Sequence, residues 1–86
     1  MPEISRFFGI VIRMYWDDHN PPHFHALYAE DEALIDIRSL SVFAGGLSPR
    51  ALGLVVEWAT LHQRALLDDW DRAQAQESLE KIEPLT

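Results

Sequence analysis

From Phe7 to Trp16 the chain reads Phe-Phe-Gly-Ile-Val-Ile-Arg-Met-Tyr-Trp, a β-branched and aromatic run with a partial period of two. In an extended chain Phe8, Ile10, Ile12, Met14 and Trp16 share one face, and Gly9, Val11, Arg13 and Tyr15 the other. The pattern predicts a strand over 7–16. Residues 17–22, Asp-Asp-His-Asn-Pro-Pro, predict a turn, because Asp and Asn bond their own backbone and Pro-Pro offers no ladder donor. A second strand is predicted from His23 to Ala29, with Glu30-Asp31 as a polar turn. A third follows over 32–38, with Leu34 and Asp36 opposed to Ala33, Ile35 and Ile37. Leu40 to Ala44 gives a short fourth strand, ended by Gly45-Gly46. Connections this tight imply an antiparallel meander.

The period then changes. Ser48 suits an N-cap and Pro49 the first helical position. From Pro49 to about Leu67, Ala51, Leu52, Leu54, Val55, Trp58, Ala59, Leu61, Ala65 and Leu66 fill an arc of roughly 180° on a helical wheel. Arg50, Glu57, Arg64 and Asp68 fall opposite. A weaker helix is expected from about Asp69 to Ser78, with Asp68, Asp69 and Asp71 ending one helix and capping the next. Pro84 stands in an extended tail. The expected fold is α+β: an antiparallel β-meander of three to four strands followed by two C-terminal helices packed on one face, in a single domain over 1–86.

Composition narrows the function classes. A hydrophobic share of 48% argues for a folded globule, and the absence of cysteine removes disulfides and cysteine-ligated zinc. No signal pattern and no membrane-length apolar run is visible, so a soluble, cytoplasmic protein is expected. Seven basic residues against 14 acidic give a net charge of −7, with no basic run. Direct nucleic-acid binding by the isolated domain is therefore disfavoured. A basic protein partner or a cation suits the charge better.

The cation has a candidate seat. Asp17, Asp18, His19, His23 and His25 fall within nine residues. His23 and His25, two apart on a strand, project from the same face. With His19, Asp17 or Asp18 from the turn they could ligate zinc, manganese, nickel or iron. The bland alternative is histidines that face water or bond backbone. The choice turns on register. With Phe24, Ala26 and Tyr28 inside, the histidines occupy the open face near Arg13 or Asp36. This arrangement is expected, since burying two unpartnered histidines is costly. The opposite register would bring His62, near the centre of the helical apolar arc, toward His23 and His25. Trp16, Trp58 and Trp70 are expected in the core or at its edge. Gly45-Gly46 lacks a phosphate-loop pattern and reads as a plain turn.

The order His19-Asn20-Pro21-Pro22-His23-Phe24-His25-Ala26, then Arg50, Glu57-Trp58-Ala59 with His62, Asp69-Trp70 and Ile82-Glu83-Pro84-Leu85 resembles the DUF4160 family, small bacterial proteins of unknown function. The resemblance covers nearly the whole chain and is most specific at Pro-Pro-His-Phe-His. It implies genomic company: a small DUF2442-like protein encoded alongside, in a layout like that of toxin–antitoxin pairs. Three function classes follow. The expected one is a protein-interaction module within such a pair, with a small protein partner or as a homodimer. The alternative is a histidine-rich metal-binding protein or small metal-dependent hydrolase. The third is a metal-free ribonuclease toxin, with histidines as acid and base and Arg13 or Arg50 on phosphate; the net charge opposes it. The candidate cluster is His19, His23, His25, His62 and Arg13.

Overall fold

The computed structural model describes residues 2–86. Five strands and two helices follow in order: β1 (Glu3–Phe7), β2 (Ile10–Arg13), β3 (His23–Tyr28), β4 (Asp31–Asp36), β5 (Val42–Gly45), α1 (Pro49–Leu61) and α2 (Gln63–Gln74). The strands form one antiparallel sheet in the order β1-β2-β3-β4-β5. The α+β class and the meander agree with expectation, but the sheet has five strands rather than three to four.

The extra strand comes from a turn inside the predicted first strand. Phe7 pairs with Ile10, leaving Phe8 and Gly9 as a two-residue turn at φ 51° and 80°. Positive φ at both central positions matches the right-handed twist of a hairpin, and Gly9 takes it without strain. Phe8 is 55% exposed, so it does not share the buried face of Ile10, Ile12 and Met14. The β3–β4 turn lies one residue earlier than expected. Tyr28 pairs with Asp31 across Ala29 and Glu30.

The helical boundary also moves. α1 is capped by Ser48, whose Oγ accepts from Ala51 N, and it ends at His62 rather than near Leu67. α2 begins at Gln63, so Asp68, Asp69 and Asp71 lie inside it instead of between helices. Leu61, the last residue of α1, lies at the edge of the apolar arc and is exposed. Asp69 is buried. Its Oδ1 accepts from Arg72 Nη1 at 2.8 Å and from Glu80 N at 2.9 Å, so it ties the C-terminal segment to α2. Ile82 N donates to Ile4 O and Trp58 Nε1 to Glu83 O, so that segment runs beside β1 and covers this sheet edge.

The core joins the inward side chains of the sheet to α1 and α2. Ile12, Phe24, Ala26, Ile35, Val55 and Trp58 are fully buried in it. Phe24 and Trp58 meet edge to face with ring centroids 5.8 Å apart. Phe24 and Ala26 therefore point inward, and Tyr28 packs at the core's margin. Trp70 is core, whereas Trp16 is exposed at 41%. No helix among the described residues is long and apolar enough to cross a membrane.

Gly45 and Gly46 separate two effects of glycine. Gly45 has φ 68°, and an added Cβ would collide with the Glu32 carbonyl oxygen; at Gly46 a Cβ meets nothing within 4 Å. Gly45→Ala is expected to lower unfolding free energy by more than about 1 kcal/mol. Gly46→Ala is expected to change it by less than about 0.5 kcal/mol. Urea unfolding of both variants checks this, and equal effects would contradict it.

Candidate functional site

Strand β3 alternates between core and site. Phe24 and Ala26 face the helices, so His23 and His25 stand on the opposite face of the sheet. The ladder fixes their neighbours: Arg13 pairs with His25, and Asp36 with His23. Pro22 O accepts from Ile37 N at 2.9 Å and anchors the start of β3 against the end of β4. The preceding Asn20–Pro21 peptide is cis.

The third member comes from the β2–β3 connection. Asp18 Oδ2 lies 3.0 Å from His23 Nε2 and 3.1 Å from His25 Nε2. The three ligand atoms are all within 4.8 Å of one another. Asp18 Oδ1 accepts from His19 N at 3.2 Å. The connection is held from outside the sheet. Trp16 Nε1 donates to Glu77 O, Gln74 Nε2 to Asp18 O, and Gln76 Nε2 to Asp17 Oδ1. The end of α2 and its following turn thus set where Asp18 sits.

Behind each imidazole is an acceptor. Pro21 O lies 2.7 Å from His23 Nδ1, and Glu32 Oε2 lies 2.8 Å from His25 Nδ1. A carbonyl or a carboxylate oxygen can only accept, so both Nδ1 atoms carry protons. The Nε2 atoms of both rings then face Asp18. His23 is buried to 4% exposure, packed beside Trp70 and Phe43 with ring centroids 5.3 and 5.2 Å away. Its Nε2, although 3.0 Å from Asp18 Oδ2, is misaligned for a hydrogen bond and has no partner. Tyr15 meets His25 edge to face at 4.6 Å.

The remaining candidates lie elsewhere. His19 is exposed and outside the cluster. Asp17 engages Gln76. His62 sits at the α1–α2 break with its ring 5.6 Å from Trp58, on the far side of the sheet from His23 and His25. Asp36 Oδ1 caps a turn by accepting from Arg38 N and Ser39 N. Glu32 was not among the candidate residues. Its signal is the two-residue β3–β4 turn, which pairs Leu27 with Glu32 and so sets Glu32 diagonal to His25 on the same face.

With this geometry in place, comparison with known proteins gives a family. The chain belongs to DUF4160, a domain of unknown function whose family model matches residues 9–71. That span includes Asp18, His23, His25 and Glu32. No match was found among the curated proteins or the solved structures.

Burial raises the Asp18 carboxyl, but the hydrogen bond with His25, the charge of His23, the His19 N–H and the charge of His25 outweigh it. The carboxyl is held below its usual value of 3.8. A carboxyl lowered by folding contributes stability that is present above its unfolded value and lost as pH falls through its folded value. Thermal melts of the metal-free protein between about pH 5 and pH 2 should therefore show a steeper acid loss for wild type than for Asp18→Asn. Parallel curves would show that Asp18 is not held by the histidines.

Proposed function

We propose that this chain binds a divalent transition-metal ion through Asp18, His23 and His25. One observation carries the reading: two imidazole Nε2 atoms converge on one carboxylate oxygen while each Nδ1 is backed by an acceptor. A ligating histidine characteristically donates its other N–H to a carbonyl or carboxylate, which fixes the tautomer and raises ligand basicity. Without an ion, His25 faces carboxylates on both sides and His23 Nε2 is buried unpartnered. An ion would displace the proton between His25 Nε2 and Asp18 to solvent and take both Nε2 nitrogens and the Asp18 charge together.

Two imidazoles and one carboxylate suit zinc, iron, manganese or nickel. Ligand atoms around a tetrahedral zinc sit about 3.3 Å apart at bonds of roughly 2.0–2.1 Å, close to the 3.0 and 3.1 Å between Asp18 Oδ2 and the two Nε2 atoms. Three protein ligands leave coordination positions for water or substrate, the arrangement of hydrolytic metal centres. The reading thus covers a metal-binding protein and a small metal-dependent hydrolase.

Untagged protein titrated with zinc by calorimetry should bind one ion per chain. His23→Ala and Asp18→Ala should abolish that binding, and Glu32→Gln should weaken it about 10- to 100-fold. His19→Ala and His62→Ala should leave it unchanged. Equal zinc affinity in wild type and His23→Ala would refute the site.

A second reading, a protein-interaction module, is supported by β5. This outermost strand carries Phe43 at 47% exposure and no charged side chain. Unpaired edge groups accept an added strand. The small protein encoded alongside, or a second copy of this chain, would be the partner. Co-expression with the neighbouring gene should yield a copurifying complex that Phe43→Lys weakens. A neighbour that does not copurify, together with a monomer at all concentrations, would remove this reading.

A further inference from the structure

On the face that carries His23 and His25, Arg13 makes no ion pair among the described residues, although its charge reaches Glu3 across the β1–β2 ladder. It lies directly across the β2–β3 ladder from His25. Directly opposed residues in an antiparallel pair share a face, with Cβ atoms about 4.5–5.5 Å apart. Among the described residues no carboxylate lies within ion-pair distance of Arg13, and its Nε is buried without a hydrogen-bond partner. Its other cross-strand neighbour, Glu3, is engaged by Arg6, whose Nε and Nη2 lie 3.1 and 2.9 Å from the two carboxylate oxygens. In a chain with twice as many acidic as basic residues, a half-buried arginine without an acid is unusual.

We propose that Arg13 and a metal ion held by Asp18, His23 and His25 together bind a small oxyanion, one oxygen on the ion and another on the guanidinium. The proposal rests on the metal-binding reading and names the class of ligand at that site. Charge favours it. A divalent ion offsets the charges of Asp18 and Glu32, and Arg13, which makes no ion pair among the described residues although Glu3 and Asp36 share the face, keeps its guanidinium donors for an anion. Without the ion the same two carboxylates would repel an anion, so anion binding depends on metal. Geometry favours it as well. A planar guanidinium presents parallel N–H donors that match the paired oxygens of phosphate and carboxylate groups. Open positions on a three-ligand ion supply the second anchor. Phosphate and carboxylate share this chemistry, and the probes below separate them.

Cobalt(II) serves as a spectroscopic substitute for zinc, because its visible absorption responds to exchange of bound water. Wild-type protein loaded with cobalt should change spectrum saturably on titration with inorganic phosphate, with acetate, or with both. The tighter anion identifies the ligand class. Arg13→Gln should take up cobalt with wild-type affinity yet bind the anion about 10- to 100-fold more weakly, the loss of one charged hydrogen-bonding partner. Arg13→Lys should recover part of that loss. Anion affinity equal in wild type and Arg13→Gln would overturn the proposal, as would cobalt-loaded protein that responds to neither anion. Wild-type protein that takes up no cobalt would remove the metal site itself and this proposal with it.

Discussion

Strand β3 is shared between the hydrophobic core and the polar cluster, and its alternation binds the two together. Phe24 and Ala26 are fully buried beneath the helices, and their burial obliges His23 and His25 to face the other way. A slip of one residue would turn Phe24 and Ala26 out of the core and drive both imidazoles into it, away from Asp18. The Pro22 O to Ile37 N hydrogen bond holds the register at the strand's start, and the two-residue turn at Ala29-Glu30 holds it at the end. Packing free energy on one face therefore fixes the chemistry on the other. The positions of Arg13, Glu32 and Asp36 relative to the histidines follow from the same register.

Asp18 needs a second constraint, because it lies in a connection without ladder hydrogen bonds. Its place is set by three contacts from residues 74–77 at the end of α2. α2 is in turn tied to the C-terminal segment through Asp69, Arg72 and Glu80. A buried carboxylate paired with arginine is hard to disturb without large cost, which makes this tie a rigid one. The cluster is thus assembled only when sheet, α2 and C-terminal segment are all in place. Changes far from the histidines, at Asp69 or Gln74, act on the cluster through the position of Asp18.

Much of this was legible from residue pattern. The inward set Phe24 and Ala26, and the pairing of His25 and His23 with Arg13 and Asp36, follow from period two; the expected open face does not hold at His23, which is buried against Trp70 and Phe43. Other features were hidden for physical reasons. The Phe8-Gly9 hairpin lies inside a continuous apolar run, and Phe8 occupies a left-handed turn position that disfavours a bulky side chain. The break at His62 falls within an uninterrupted apolar arc, with no proline or glycine to mark it. Adjacent Asp17 and Asp18 are equivalent in sequence; contacts from the end of α2 and the turn after it, 56 residues or more away, separate them. Glu32 appears only once the β3–β4 turn is known to one residue.

The cluster differs from a solvated group of histidines in its directionality. Both Nδ1 atoms are committed to acceptors, so the chemistry of the face lies in two Nε2 atoms and one carboxylate oxygen. X-ray absorption at the zinc edge of the loaded protein tests this most directly. Two imidazole nitrogens and one carboxylate oxygen at about 2.0–2.2 Å are expected. A shell of oxygen neighbours without imidazole would contradict the account.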